Sequence, residues 1–274
     1  MIRKSLILLP VSIIVAFISI IVLLPFAWML FSSLKPESLI MGHPEQFFPA
    51  QITFEQYSKI FTAVPYFRFF LNSIVFALGV TIFSLLFDSM AGYAFAKMNF
   101  RFRTPAFVIV LITLMVPFQI TMIPLYLIIY RLHMLDTFWG LMLPRLTNAF
   151  GIYLMRQAFL AVPNDLLDAG RIDGLREFAI YRRIAMPLVK MSITTLAVFH
   201  FMYNWNDFLW PLLITNRLEM RTLSVGLSLF MGEHVMEHGP ILAGAVLSIL
   251  PILALFLAAQ KTFTRGIALT GMKG

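Results

Sequence analysis

Cysteine is absent from this 274-residue chain, and charged residues are scarce. Without a thiol, the chain has no structural disulfide, thiolate metal site or cysteine nucleophile. Charged residues make up 12% of the sequence, whereas a soluble domain carries about a quarter. Apolar residues make up 60%, and the mean hydropathy is +0.86. A water-soluble domain could not bury this much apolar surface, so the composition predicts an all-α bundle surrounded by membrane lipid.

Motifs for ATP hydrolysis, metal binding and nucleic-acid binding are also missing. No Gly-x-x-x-x-Gly-Lys-Ser/Thr loop occurs, so we do not expect the chain to hydrolyse ATP. His234 and His238 are spaced one helical turn apart, but no third ligand accompanies them, and we expect no metal site. The 21 basic residues are spread between apolar stretches, a pattern that does not indicate a nucleic-acid surface. The scattered His and Asp residues do not converge as an enzyme's catalytic groups do, so we expect neither enzymatic activity nor a cofactor bound by this chain.

Six apolar stretches approach or exceed the roughly 20 residues that cross a bilayer. They are residues 5–34, 69–96, 104–130, 137–160, 188–216 and 239–260. The first is longer than the apolar core of a cleaved signal peptide, so we interpret it as a retained span. Arg145 interrupts the fourth. We predict a single transmembrane domain over residues 1–274, with six transmembrane helices.

The basic residues predict the orientation of these spans. With the N-terminus inside, the inner segments carry 14 of the 21 Lys and Arg residues and the outer segments carry 7. An excess of Lys and Arg in short cytoplasmic loops is the general pattern of multi-pass proteins. We therefore expect a multi-pass membrane protein with both termini in the cytoplasm.

Residues 161–187 form a long hydrophilic segment on the predicted inner side, called the 161–187 loop below. Its four acidic and four basic residues balance. Asn164 is a good N-cap for a helix, and Gly174 can end that helix by adopting a positive φ angle. A second short helix then runs to Pro187. The pattern fits either a solvated connector or a surface for another protein, and periodicity leaves both open.

A family resemblance favours the second interpretation. The order Asp168-Ala169-Gly170, three residues, Gly174, nine residues, Ile184-x-Met186-Pro187 resembles the signature loop of ABC importer permeases. That signature reads Glu-Ala-Ala, three residues, Gly, nine residues, Ile-x-Leu-Pro. Asp168, Gly170 and Met186 depart from it mildly in size and chemistry.

Further fragments in the same order resemble the carbohydrate-uptake branch, and specifically the smaller maltose-permease subunit type. They are Asn72-Ser73, Ala91–Ala94, Met115–Gln119, Asn204–Asp207 with Trp210-Pro211, Gln260–Gly266 and Gly271–Gly274.

The resemblance implies a type I ABC importer permease fold, a location in a bacterial inner (plasma) membrane and a set of partners. These are a second, homologous but non-identical permease subunit, two ATPase subunits that bind ATP and Mg, and an extracytoplasmic substrate-binding protein. The solute would be a sugar or oligosaccharide. The 161–187 loop would couple ATPase closure to alternating access, with Ala169 and Gly170 permitting close approach and Gly174 setting the angle between two helices. The implied coupling residues are Asp168, Ala169, Gly170, Gly174, Ile184 and Pro187.

Polar residues within the apolar stretches are candidates for the lining of a solute path. Charges in a membrane are costly and often functional. The candidates are Gln119, Asn204, Trp205, Asn206 and Asp207. The alternative for the residues around Asp207 is a hydrogen-bonding cluster between helices, and the sequence leaves both open. For Asp88, small neighbours at helix-packing spacing favour a structural role.

An ion-coupled secondary carrier is the alternative function. Such carriers have inverted repeats or interrupted helices in paired positions. The sequence shows neither, so we favour the ATP-driven importer.

Overall fold

The computed structural model describes residues 2–232 and 236–270, with side chains described for 10–232, 236–260 and 262. The α-helices in chain order are α1 (Ile2–Ser33), α2 (Glu37–Gly42), α3 (Glu55–Ala63), α4 (Tyr66–Lys97), α5 (Arg103–Thr113), α6 (Phe118–Arg131), α7 (Phe138–Met142), α8 (Ala149–Leu160), α9 (Asn164–Ile172), α10 (Glu177–Ile180), α11 (Met186–Leu188), α12 (Lys190–Trp205), α13 (Leu209–Ile214), α14 (Leu223–Leu227) and α15 (His238–Thr270). Shorter turns of 3₁₀ helix occupy Leu143–Arg145, Leu218–Met220 and Ser228–Phe230, and a π-helical turn occupies Tyr181–Ala185.

Three of the described helices contain an apolar segment long enough to cross a bilayer unaided. These segments are Pro10–Ser33, Tyr66–Lys97 and His238–Gln260, which correspond to the predicted first, second and sixth spans. Two bent helix pairs, α5 with α6 and α10–α11 with α12, would raise the number of candidate spans to five. Helices form because a chain in lipid must satisfy its backbone hydrogen bonds within the same segment.

The predicted third and fifth spans are not continuous helices. The axis bends by 98° between α5 and α6, and by 84° between α11 and α12. Pro117 precedes α6 and has no N–H to continue the hydrogen-bond ladder, which explains the first break. Interrupted helices are therefore present, although the sequence showed no sign of them. Their absence can no longer be used as evidence against an ion-coupled secondary carrier.

The predicted fourth span, 137–160, is divided into α7, a 3₁₀ turn and α8. Pro144 lies within the turn, where it cannot donate a helical hydrogen bond. Asn148 then starts α8 as its N-cap, since its side-chain Oδ1 accepts a hydrogen bond from the Phe150 amide at 2.8 Å. The six residues 143–148 therefore lie outside a regular α-helix at the centre of an apolar stretch.

The described chain divides into two compact units. The first comprises residues 2–67 and 226–250. Within it, Glu37 holds the start of α15, because its two carboxylate oxygens accept hydrogen bonds from the backbone amides of His238 and Gly239 at 2.7 and 2.8 Å. Lys59 on α3 forms an ion pair with Glu237 at 2.8 Å. These contacts fix the segment after α1 against the residues that lead into α15.

The second unit comprises residues 68–225 and 251–270 and contains α5 to α13. One of its hydrophobic clusters surrounds Tyr93 of α4, Phe159 of α8 and Tyr181 of the π-helical turn, whose rings lie 5.4 to 6.2 Å apart. Another surrounds the buried Trp210 of α13. The first of these clusters lies beneath the 161–187 loop and gives it a packed base.

Glu37→Ala tests the attachment of α15. The variant loses both acceptors for amides at the start of a long helix, where a capping interaction stabilises by about 1 kcal/mol. We expect a lower thermal unfolding midpoint for the purified protein in detergent. Glu45→Ala is the matched control, because Glu45 is exposed and pairs with His43 two residues away. Equal midpoints for the two variants would show that the cap does not hold α15.

Candidate functional site

The 161–187 loop consists of two helices that meet at a glycine. α9 ends at Ile172, and Gly174 follows with φ +80°, as the sequence predicts. A side chain is strained at this φ, although no atom lies within 4 Å of the position that a Cβ would occupy. The positive φ angle therefore favours glycine at position 174, whereas neighbouring atoms would leave room for a side chain. Asn164 is the first residue of α9 and Pro163 is its N-cap, which corrects the start of the helix by one residue.

Gly170 provides the close approach expected of small residues, but the contact is internal. It is buried, and an added Cβ would lie 2.6 Å from Cδ1 of Ile184. Ala169 and Asp168, by contrast, are exposed. The signature residues Gly170 and Ile184 thus pack on each other, and Ala169 is on the outer surface of α9. Pro187 lies exposed in α11, where the loop ends.

A chain of charged and polar side chains ties the loop together. Arg171 bonds to Asp168 at 2.5 Å and to Glu177 at 2.7 Å, which joins α9 to α10 across Gly174. The carboxylates of Glu177 and Asp168 raise the pKa of Arg171 by accepting these hydrogen bonds. The Tyr93 hydroxyl of α4 donates to the other Glu177 oxygen at 3.0 Å. The loop is therefore fixed internally and to α4.

The end of α4 makes a second attachment. Nζ of Lys97 donates to the Val162 carbonyl at 2.6 Å and to Oδ1 of Asn164 at 2.7 Å. Tyr181 of the π-helical turn and Ser89 of α4 lie 2.7 Å apart through their hydroxyls. Both ends of the loop thus contact the same long helix.

The outer surface of the loop carries large apolar side chains. Leu166, Ile172 and Phe178 are 46%, 87% and 59% exposed. They lie beside exposed charged residues of the same loop. Apolar groups rimmed by polar ones are typical of protein interaction surfaces.

A buried polar cluster surrounds Asp88 in the middle of α4. Asp88 is completely buried, and its Oδ1 accepts hydrogen bonds from the Thr147 hydroxyl at 2.7 Å and the Asn148 amide at 2.9 Å. Its Oδ2 lies 3.0 Å from Nε2 of His200 on α12. A Cβ on Gly151 would overlap Asp88, so only glycine permits α8 to approach here. Asp88 therefore joins three elements, in agreement with the structural role favoured above.

Arg145 and Asp207 form an ion pair beside this cluster. Nη2 of Arg145 lies 2.6 Å from Oδ2 of Asp207, and the two side chains are 7% and 12% exposed. The guanidinium is covered by the rings of Phe118 and Tyr203, at 4.5 and 5.2 Å from their centroids. Ser84 of α4 donates to the Arg145 carbonyl at 2.9 Å. The break in the predicted fourth span is thus held by side chains of α4 and of the segment after α12.

The predicted path residues separate in the structure. Asn204 lines a cavity of about 490 Å³ together with residues of α5, α6 and the connection between α7 and α8. Trp205 is buried against Phe70 and Phe201. Asn206 and Asp207 border a different, open groove. Gln119 is exposed and is not among the residues that line either one.

The chain is similar to known proteins of membrane transport systems. Residues 88–268 match the family described as binding-protein-dependent transport system inner membrane component. The chain belongs to this family of membrane permeases. It is 37% identical over 260 residues to the arabinooligosaccharides transport system permease protein AraQ of Bacillus subtilis (strain 168), an alignment that covers 94% of this chain and 92% of AraQ. It is 34% identical over 252 residues to the lactose transport system permease protein LacG of Rhizobium radiobacter, with 92% and 90% covered.

A solved structure shares the fold of this permease. The crystal structure of a bacterial ABC transporter involved in the import of the acidic polysaccharide alginate contains a chain that superimposes with a TM-score of 0.80. It is 22% identical and covers 94% of this chain and 97% of that one. The predicted all-α type I importer permease fold is confirmed. The predicted count of six transmembrane helices is not, because the described residues contain three candidate spans, or up to five if each bent pair is one span. The chain is a non-catalytic, multi-pass membrane subunit, and the ion-coupled carrier is excluded by its family.

Sequence analysis of the permease missed the partners of its buried charges. Asp88 and Asp207 were noted, but not His200 or Arg145 as the groups that pair with them. The signal was present, because a basic residue that interrupts one apolar stretch requires an acid from another. Arg171, Tyr93 and Lys97 were missed as well, since their roles depend on contacts between distant segments. His234 lies outside the described residues.

Arg171→Ala tests the internal support of the loop. The variant loses contacts to both acids, and exposed ion pairs of this kind contribute about 1 kcal/mol or less each. We expect amide hydrogen exchange across residues 161–187 to become about fivefold faster in the purified permease. Arg182→Ala, a change of the same type at an exposed residue of the loop, should leave exchange unchanged. Equal exchange in the two variants would show that Arg171 does not hold the loop.

The Arg145–Asp207 pair is tested by comparing single and double replacements. Asp207→Asn leaves a buried guanidinium without its counter-charge, a change that costs about 3–5 kcal/mol, whereas replacing both partners by apolar residues removes both charges. We expect the Asp207→Asn permease to be recovered from membranes in much smaller amounts than Arg145→Met with Asp207→Leu. A double variant recovered no better than the single one would contradict this role for the pair.

Proposed function

We propose that the chain is the permease subunit of an ATP-driven importer for a sugar or oligosaccharide, and that the 161–187 loop couples it to an ATPase. The observation that carries the proposal is the rigid helix–glycine–helix loop, whose apolar residues Leu166, Ile172 and Phe178 are exposed beside its charged residues. A surface of this kind is suited to the groove of another protein. Family membership supplies the context in which that protein is an ATPase.

The remaining parts of the importer follow from the same family. A second, non-identical permease chain completes the solute path, two ATPase subunits bind ATP and Mg, and an extracytoplasmic protein delivers the solute. The chain forms one transmembrane domain with its termini and the 161–187 loop in the cytoplasm. The twofold excess of basic residues in the predicted inner segments supports this orientation.

The solute class is supported by the relatives. AraQ and LacG are permeases of arabinooligosaccharide and lactose transport systems, and each aligns with at least 92% of this chain. The proposed solute path in this chain passes Asn204 and the Arg145–Asp207 pair, where the broken helices leave a cavity. Non-helical backbone at membrane depth is tolerated where it lines such a cavity.

Coupling requires that the loop move as one piece. ATP-driven closure of the ATPase dimer displaces the loop, and its attachments at Tyr93 and Lys97 transmit the displacement to α4. Such a transition needs an element whose position both states bias. In this chain, that element is α9 with α10, locked across Gly174 by Arg171.

Gly174→Val tests the coupling proposal in the complete complex reconstituted in vesicles. A β-branched residue at φ +80° is strained by about 1–2 kcal/mol, so the two loop helices change their angle. We expect uptake of the transported sugar, from a panel including arabinotriose and lactose, to fall at least fivefold, with normal membrane insertion.

Two controls separate conformation from bulk. Gly174→Asn should retain uptake, because asparagine tolerates the left-handed region. Gly42→Val adds the same side chain where no atom lies within 4 Å and should behave as wild type. Normal uptake by Gly174→Val would remove the case for a coupling loop.

A further inference from the structure

We propose that this chain contacts the transported solute directly, through a site for an uncharged hydroxyl group built by Asn204 and Arg145 in the 490 Å³ cavity. The inference rests on the proposed function, because it concerns the solute path of an importer. The volume lies within the range of about 300–1,000 Å³ that is typical of small-molecule sites. Threonine and asparagine side chains also line this cavity, so its wall is partly polar.

Asn204 supplies an unused hydrogen-bond acceptor. The residue is 3% exposed, and its Nδ2 donates to the His200 carbonyl at 2.7 Å. This bond fixes the amide orientation, because a flipped amide would place its oxygen against a carbonyl oxygen. Oδ1 has no hydrogen-bond partner among the described residues. A buried acceptor left unpaired is destabilising, and a donor on a solute would remove that cost.

Arg145 supplies an unused donor in the wall of the same cavity. Its Nη2 is engaged by Asp207, whereas its Nε has no hydrogen-bond partner within the described part of the chain. A sugar hydroxyl both donates and accepts, so it can complement an amide oxygen and a guanidinium N–H. The exposed face of Tyr203, which also lines the cavity, offers an aromatic surface to a sugar ring.

The charge balance of the cavity favours a neutral solute. The guanidinium of Arg145 is paired with Asp207, and His200 is paired with Asp88. No unpaired cationic side chain is left among the described lining residues to attract a phosphate or a carboxylate.

Oδ1 of Asn204 and Nε of Arg145 are shielded from water in this conformation. The proposal therefore requires the cavity to open toward these two atoms during the transport cycle.

The test is uptake by the reconstituted complex with saturating binding protein, with sugar transported per ATP hydrolysed as the readout. Asn204→Leu removes the acceptor at similar size, and we expect the ratio to fall several-fold while ATP hydrolysis persists. Thr195→Val is the control, because Thr195 lies on the same helix outside this cavity and its hydroxyl makes an intrahelical bond to the Met191 carbonyl at 2.9 Å. Equal ratios for wild type and both variants would overturn the proposal.

A second measurement decides the matter if Asn204→Leu does not assemble. Because the chain has no cysteine, Tyr203→Cys introduces a single thiol into it, and its labelling by a small thiol reagent can be followed on this chain after the subunits are separated. We expect labelling to slow at least threefold when arabinotriose or lactose, whichever the complex transports, is being taken up. Phe199→Cys, on the same helix but outside this cavity, should label at an unchanged rate.

An acidic alginate trisaccharide provides the charge test in the same labelling experiment, and it should give no protection of Tyr203→Cys. Protection by the trisaccharide, or none by the neutral sugar, would overturn the inference. Normal uptake by Gly174→Val would instead contradict the proposed coupling, so the two failures are distinguishable.

Discussion

Charges within this apolar chain are stabilised by partners from other helices, and the rest of the structure depends on this pairing. An isolated charge or an open backbone group is costly in lipid. Asp88 of α4 meets that requirement by binding the broken connection before α8 and His200 of α12. Arg145, in the same connection before α8, forms an ion pair with Asp207, which follows α12. The broken helices are therefore specific features, and these polar contacts involve residues that line the cavity beside Asn204.

The helix α4 contacts both the broken fourth segment and the 161–187 loop. Its central residues Ser84 and Asp88 hold the broken fourth segment, and its later residues Tyr93 and Lys97 hold the 161–187 loop. Under the proposed coupling, a displacement of the loop would be applied to the helix that also contacts the cavity wall. In the proposed function, this arrangement would give alternating access a physical route, with the ATPase acting on one end of α4 and the proposed solute path responding at its middle.

The sequence was sufficient to predict some features for clear physical reasons. Lipid forces apolar stretches to be helical, so α1, α4 and α15 lie where their composition indicates. Gly174 was predicted to adopt a positive φ because helix ends favour glycine there, and φ +80° confirms it. The signature loop of the family is recognisable although three of its positions differ, and a match to the family over residues 88–268 confirms the assignment.

Other features depend on contacts that a sequence does not display. Periodicity cannot say that Gly170 packs on Ile184, or that Trp205 turns away from the cavity while Asn204 lines it. The bends of 98° and 84° were missed because apolar composition alone does not distinguish a straight span from a broken one. Residues Gly271–Gly274 of the resemblance lie outside the described residues.

Side-specific labelling of Ala169→Cys tests the central claim most directly. Ala169 is exposed on α9, and because the chain has no cysteine this position would carry the one thiol in it. In membrane vesicles of known orientation, a membrane-impermeant maleimide should reach this position from the cytoplasmic side, and bound ATPase subunits should protect it. Labelling from the outer side alone, or equal labelling with and without the ATPase subunits, would contradict the account.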